Sequence, residues 1–326
     1  MRDGDDRGPT PTQAFDPSTC AERLAQATAE AVRELGRKGA VVAVSGGVDS
    51  GVCAALSARG LGADHVLCLR LPERELSEHS SDLGLELAQS LGTRTEEESI
   101  SGALDALGYP GRVDEAIRSV FPDYEPSWRH KLVRSSPSSG AMIVFSLVVE
   151  RPDGTQERRR MPSAAYRDLL AATNMKQRLR KLIEYTWADQ LGYAVIGTPN
   201  LVEYDQGFFV KGGDGLADIK PIARLYKQQV YALAQELGLP PGIASRSPTT
   251  ETFSLPQSQE EFYFGHPHER MDELLRGHTE GVAPAELAGR VELSVEEVEA
   301  AYLEIERRRV ATHYLHAAAL LPDSDC

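Results

Sequence analysis

The residues best suited to chemistry cluster in one short loop. Ser45-Gly46-Gly47-Val48-Asp49-Ser50 follows directly on the apolar run Ala40-Val41-Val42-Ala43-Val44. Two glycines let the backbone turn sharply and approach a ligand with no Cβ in the way. Main-chain N–H groups, small hydroxyls and the N-terminus of a following helix can then converge on an anion. Asp49 would repel a bare phosphate, so its presence points to a bridging Mg²⁺. A second carboxylate, Glu203, lies just past the apolar run Ala194-Val195-Ile196, where it could meet Asp49 across a sheet. Lys211 stands in a run of glycines, a point charge on adaptable backbone. Taken alone it reads as a solvated loop lysine, and Lys227 alone reads as a surface residue. Asn174, Arg178, Lys181 and Tyr185 recur at i, i+4, i+7 and i+11 and so share a helix face. That face suits a phosphorylated or carboxylate substrate, or else is a solvated cationic face.

These residues need a framework, and the order of the elements supplies one. Cys20 to Lys38 has Leu24, Ala27, Ala31 and Leu35 at helical spacing and is stopped by Gly36 and Gly39. The run at Ala40 lacks alternation, as a strand buried on both faces would. A small-residue helix through Val52, Ala55 and Leu56 follows the loop, then a strand over His65 to Leu71 and a helix over Ser81 to Leu91. This rhythm predicts a doubly wound, mostly parallel α/β sheet, with ligands beyond the carboxyl ends of its strands. Residues from about 122 to 172 break the rhythm. Ala141–Glu150 and Gln156–Met161 flank an Asp-Gly turn, which predicts an inserted β-hairpin. The sheet resumes with a helix over Asn174 to Leu191, its core stripe Met175, Leu179, Leu182, Ile183 and Trp187. A strand over Tyr193 to Gly197 and a helix over Leu225 to Leu237 follow. Ser245 to Phe264 reads as loop. A C-terminal helix near Ser294 to Leu315 turns Val295, Val298, Tyr302 and Ile305 to one side.

Composition narrows the function classes. The 326 residues carry 35 Lys+Arg and 49 Asp+Glu, a formal net charge of −14. That balance argues against a broad nucleic-acid surface, which needs a cationic stripe. No apolar run approaches the length of a membrane span. Residues 1–17 are polar, lack the apolar core of a signal peptide and read as a disordered leader. Residues 18–326 read as one domain. Cys20, Cys53, Cys68 and Cys326 fall at no metal or disulfide spacing, which suits a reducing cytoplasm. Glu157-Arg158-Arg159-Arg160 reads as the solvated edge of the hairpin. His266 and His268 would be half a metal site, and with nothing to complete it they read as a loop pair.

The glycine loop resembles the pyrophosphatase loop of the N-type ATP pyrophosphatases, which cleave ATP between its α and β phosphates. NAD synthetases, GMP synthetases, asparagine synthetases and several tRNA-modifying enzymes share it. A second block chooses among them. Gly197-Thr198-Pro199-Asn200-Leu201-Val202-Glu203, then Gly207 to Asp218, then Pro221 and Leu225-Tyr226-Lys227-Gln228-Gln229-Val230 resembles the signature of the ammonia-dependent NAD synthetases. The resemblance spans Ala40 to about Thr250 and implies an adenine nucleotide alpha hydrolase-like fold. It implies that Ser45, Gly46, Gly47, Val48, Asp49 and Ser50 bind ATP with Thr198, Lys227 and Thr249. It implies Mg²⁺ on Asp49 and Glu203, and a catalytic set of Asp49, Lys211 and Lys227. For the deamido-NAD substrate it implies Asn174, Arg178, Lys211, Asp214 and Asp218, with Arg307 and Arg308 as further candidates. Pro199 departs from the family's usual Asp. The resemblance also implies a homodimer, with the dinucleotide near the subunit interface.

With no amidase segment and no cysteine in a nucleophile context, the expected nitrogen source is free ammonia, unless a separate glutaminase delivers it. The main rival keeps the mechanism and changes the carboxylic acid, because the insertion and the loop Thr252-Phe253-Ser254-Leu255-Pro256-Gln257 could reshape the acceptor pocket. A tRNA-modifying enzyme would need a basic surface and often paired cysteines. A non-catalytic nucleotide-binding regulator would not need Asp49, Glu203, Lys211 and Lys227 all intact.

Overall fold

The computed structural model describes residues 15–74, 78–135, 144–248 and 252–322. The first half of the chain alternates regularly: α1 (Pro17–Glu34), β1 (Ala40–Ala43), α2 (Val48–Leu61), β2 (Val66–Arg70), α3 (Glu78–Leu91) and β3 (Arg94–Glu97). Two short helices, α4 (Ser101–Ala106) and α5 (Tyr109–Arg118), lead into β4 (Arg129–Arg134), β5 (Phe145–Glu150) and β6 (Gln156–Arg160). The long α6 (Ser163–Leu191) returns the chain to the sheet through β7 (Ala194–Ile196) and the short α7 (Leu201–Asp205). After α8 (Lys227–Glu236) and α9 (Pro241–Ala244), the chain ends in α10 (His268–Glu280), α11 (Pro284–Val291) and α12 (Val295–His316).

The main sheet has the order β3-β2-β1-β7 and is parallel throughout. Alternate residues of its strands feed two separate cores. Val42, Val66, Cys68 and Ile196 pack with residues of α1, α2, α3, α8 and α9, while Val41, Leu67, Leu69 and Val195 pack with residues of α4, α5 and α6. A strand covered on both faces needs apolar residues at every position, which is why β1, β2 and β7 show continuous apolar runs. The chain moves outward from β1 to β2 and β3, then returns to the other side as β7. The switch point therefore lies between β1 and β7, where the doubly wound fold opens a crevice. A third core joins α10, α11 and α12. No helix among the described residues is long and apolar enough to cross a membrane.

The structure departs from the sequence expectations at several points. The hairpin forms as β5 and β6, but β4 pairs antiparallel with β5 and makes the insertion a three-stranded sheet. Arg129-His130-Lys131-Leu132-Val133-Arg134 hid that strand, because its charged ends mask Leu132 and Val133. β3, Arg94-Thr95-Glu96-Glu97, was also missed, since an edge strand can be polar. α6 begins at Ser163 rather than Asn174. Leu182, assigned to its core stripe, is 63% exposed; Met175, Leu179, Ile183 and Trp187 make that contact instead. Lys181, on the supposed cationic face, is buried and pairs with Glu184 at 2.6 Å. Among the described residues no group of three or more His, Cys, Asp or Glu could hold a metal ion, and His268 instead opens α10.

Candidate active site

The glycine loop occupies the end of β1, and α2 starts within it. Gly46 has φ +76°, a left-handed conformation that favours glycine. Gly47 caps α2, and nothing but the Ser45 hydroxyl lies near the position a Cβ would take. The Ser45 main-chain N–H donates to Ser50 Oγ at 3.3 Å, and Ser50 Oγ donates to the Gly47 carbonyl at 3.0 Å. Arg246 closes the loop from outside, its Nη1 donating to the Gly46 carbonyl at 3.1 Å. These bonds fix the curve, and the first turn of α2 faces the cavity with free amide groups and a partial positive charge.

Three charged side chains meet beside the loop. Lys227, the first residue of α8, is 3% exposed, and its Nζ donates to Asp49 Oδ2. Burial alone would lower the lysine pKa, but the nearby Asp49 and Glu203 carboxylates outweigh it and leave the pKa above its ordinary value. Glu203 lies across the switch point on α7. Burial, and after it the Asp49 charge, push its carboxyl up to about 7. Gln259 Nε2 donates to Glu203 Oε1 at 2.9 Å, and the Asn200 main-chain N–H donates to Oε2 at 3.3 Å. Asn200 wires the two carboxylates together. Its Oδ1 accepts from the Glu203 N–H at 3.1 Å while its Nδ2 donates to Asp49 Oδ1 at 3.2 Å.

A buried Glu203 beside a half-buried Asp49 is a mutually repelling pair, a poor arrangement without a cation, and Lys227 neutralises only one of the two. Their hard oxygen donors fit Mg²⁺, which commonly takes one or two carboxylates and completes its shell with phosphate oxygens and water.

The loop, Asp49, Glu203 and Lys227 line one half of a cavity of about 780 Å³. Thr198 and Pro199, at the end of β7, line it too. The other half is formed by Asn174, Arg178 and Glu184 of α6, by Phe208, Phe209, Lys211 and Asp214, and by the end of α12. One space thus joins the end built on the glycine loop to an end with aromatic walls and separate cations.

A family model described as NAD synthase matches residues 20–120 and 153–313. The chain belongs to the NAD synthase family. The NH(3)-dependent NAD(+) synthetase of Rhizobium rhizogenes is 49% identical over 309 residues, covering 94% of this chain and 93% of that protein. Among solved structures, an NMN synthetase from Francisella tularensis superposes with a TM-score of 0.67 at 23% identity, covering 95% of this chain and 100% of that one. The NH3-dependent NAD synthetase from Campylobacter jejuni superposes with a TM-score of 0.61 at 20% identity, with the same coverage. At these identities the two structures speak for the fold alone, a parallel α/β sheet of the adenine nucleotide alpha hydrolase type.

Within this NAD synthase chain the expected acceptor residues divide. Lys211 lines the cavity, and its Nζ donates to the carbonyls of Tyr314 at 2.7 Å and Ala317 at 2.9 Å. Arg178 Nε donates to the Lys211 carbonyl at 3.2 Å, which ties α6 to the same loop. Asp214 is half-buried at the cavity wall, and its Oδ1 accepts from the Val210 N–H at 2.7 Å; desolvation raises its pKa. Asp218 lies outside the cavity. Its Oδ2 accepts from the Val195 N–H at 2.8 Å and its Oδ1 from the Tyr185 hydroxyl at 3.1 Å, so it fastens its loop to β7. Arg307 is exposed and does not line the cavity. Arg308 is buried, paired with Glu304 and donating to the Tyr263 carbonyl at 2.6 Å. On the same helix Ala311, Thr312, Tyr314 and Leu315, about a turn further on, line the cavity. Thr249 lies outside the described residues.

Asn200, Arg246 and Gln259 escaped sequence reasoning. Asn200 carried a readable signal, the Asn-x-x-Glu spacing of a capping box, which the structure forms with Glu203. Arg246 and Gln259 lie in or beside a loop and carried no periodic signal.

Proposed function

We propose that this chain converts deamido-NAD to NAD with ATP and ammonia, releasing AMP and pyrophosphate. The observation that carries the reading is the single cavity that joins the Ser45–Ser50 loop, Asp49, Glu203 and Lys227 to Lys211, Asn174 and Arg178 in a member of the NAD synthase family. The nicotinate carboxylate attacks the α phosphorus of ATP, and the bond to pyrophosphate breaks, leaving an acyl-adenylate. Ammonia adds to the activated carbonyl, AMP leaves with the bonding electrons, and the extra proton passes to solvent. No protein group needs to become covalently attached. The amide groups at the start of α2 and the Lys227 ammonium hold the departing pyrophosphate, and Thr198 and Thr249 complete the ATP contacts. Asp49 and Glu203 would hold Mg²⁺, which when bound supplies positive charge to the phosphate oxygens. Lys211, Asn174, Arg178 and Asp214 orient the acceptor so that the two reactants meet in line.

In this reading residues 18–326 act as one catalytic unit in the cytoplasm and residues 1–17 as a leader outside it. The unit pairs as a homodimer, to which the exposed Leu182 of α6 offers an apolar contact. Ammonia arrives free or from a separate glutaminase. A different carboxylic acid as acceptor is the second reading, favoured by Tyr166, Leu170 and Thr252, which line the cavity from the 122–172 region and the loop that begins at Thr252, although no described residue of β4, β5 or β6 does.

One assay tests the reading. Purified protein with deamido-NAD, ATP, Mg²⁺ and ammonium should yield NAD and AMP in equal amounts, and deamido-NAD should drive ATP–pyrophosphate exchange. Exchange driven only by other carboxylic acids would overturn it.

A further inference from the structure

The family model leaves residues 121–152 unmatched, and that stretch carries β4 and β5. Among the described residues none of β4, β5 or β6 lines the cavity, and the inserted sheet meets two stretches that do: Tyr166 of α6, on which Phe145 stacks, and residues 252–264 beside β4. Residues 252–264 run beside β4 and are gripped along their length. The His130 main-chain N–H donates to Ser254 Oγ at 2.9 Å, and the Leu255 N–H donates to the His130 carbonyl at 3.0 Å. Gln257 Nε2 donates to the Leu132 carbonyl, and Lys131 Nζ pairs with Glu261 at 2.7 Å. Arg134 Nη1 donates to the Tyr263 carbonyl at 2.8 Å.

On its other side the same segment meets the site. Gln259, two residues from one grip and two from the next, donates its amide to Glu203 at 2.9 Å. The segment closes with a π turn over Glu260–Phe264, whose Phe262 and Tyr263 line the cavity. The segment buries Phe253, Leu255, Phe262 and Phe264, with Leu255 packed against Val133 and Val148 of the sheet, and its turn-rich backbone costs conformational entropy to order unless such neighbours hold it. An amide is a fitting donor to Glu203, since it satisfies one oxygen without a countercharge and leaves the carboxylate its negative charge for a cation.

We propose that the inserted sheet is a brace that holds residues 252–264 in register and, through Gln259, orients Glu203. Gln259 is then a positioning residue that acts through Glu203. The proposal rests on the reading of Asp49 and Glu203 as the carboxylates of the ATP end.

Two variants separate brace from site. The double variant Lys131→Met/Gln257→Leu removes two grips, and neither residue lines the cavity. Gln259→Leu removes the contact with Glu203. The measurements are amide hydrogen exchange of the ligand-free protein and calorimetric binding of Mg²⁺·ATP. The double variant should exchange about tenfold faster over 252–264, with β1, β2 and β7 unchanged, and should bind Mg²⁺·ATP several-fold more weakly. Gln259→Leu should weaken Mg²⁺·ATP by about tenfold and leave the KM for ammonium unchanged. Parental exchange over 252–264, or parental Mg²⁺·ATP affinity, in the double variant would overturn the brace; parental affinity in Gln259→Leu would overturn the positioning role. If the double variant exchanges faster throughout, Lys131→Met alone decides by the same two measurements. Neither measurement involves an acceptor, so a failure to form NAD would overturn the proposed reaction and leave the brace standing.

Discussion

At the scale of single residues, the site is built from charges that would repel or strand one another if any member were removed. Lys227 is buried against the half-buried Asp49 beside Glu203, so each deletion leaves an uncompensated charge. Asp49→Ala should lower kcat by on the order of a thousandfold, measured as NAD formed at saturating ATP. Unchanged turnover would refute the metal assignment. Asn200→Ala makes a finer test. It removes the cap of α7 and the link between the two carboxylates, so we expect a loss of about 1 kcal/mol in chemical denaturation together with a raised KM for Mg²⁺·ATP. Stability lost at parental kinetics would reduce Asn200 to a helix cap. The glycine loop and Asp49 were legible in the sequence, because a short strand-to-helix turn fixes most of its chemistry locally. Glu203 was legible from its place after an apolar strand, whereas Lys227 alone read as a surface residue and only the family resemblance singled it out. Arg308 was not legible. An arginine in a basic triplet can face solvent, ligand or core, and only the arrival of Glu304 and the Tyr263 carbonyl decides which.

At the scale of elements, helix ends place the working groups. The N-terminus of α8 carries Lys227 and is capped by a residue from another helix. Asp272 of α10 accepts the Lys227 N–H at 3.1 Å and the Gln228 N–H at 2.8 Å. Burial pushes its carboxyl up to about 6 from an ordinary 3.8, in spite of those two bonds. The folded state therefore binds this proton more tightly than the unfolded state. The contribution of Asp272 to stability is highest below about pH 4 and falls as pH rises towards 6, remaining low above it. Asp272→Asn should flatten that part of the stability–pH curve in urea titrations between pH 4 and 7, and a curve of unchanged slope would refute the assignment. At the other end of the chain, the last turn of α12 presents the Tyr314 and Ala317 carbonyls to Lys211, as cations near helix C-termini generally prefer. The ring of His316 packs edge-on against Tyr204 and Phe209 and fastens that turn. A chain ending after Val310 should keep its KM for ATP while the KM for deamido-NAD rises by about tenfold, the effect of losing one or two charge-assisted hydrogen bonds at Lys211. Equal changes in both constants would instead indicate general loosening.

At the scale of the whole molecule, exposed apolar residues bear on assembly. Leu182 is 63% exposed at the middle of the longest helix, and Val310 is 77% exposed on α12. If α6 meets a second copy, Leu182→Asp should shift the sedimenting species from dimer towards monomer at micromolar concentration, and an unchanged sedimentation coefficient would remove α6 from the interface. The sequence by itself determined the parallel sheet and the loop at the end of β1, because continuous apolar runs and adjacent glycines act over a few residues. It also pointed to the long excursion between α5 and α6, since an Asp-Gly turn needs no distant partner. The tertiary structure alone decided that β4 joins the insertion, that Asn200 links Asp49 to Glu203, and that Gln259 and the end of α12 reach the cavity. Those contacts join residues far apart in the chain, Gln259 with Glu203 and Lys211 with Tyr314. Local periodicity carries no trace of them. They follow from how the sheet, the insertion and the C-terminal helices pack, which is set by burial summed over the whole fold rather than by any one segment.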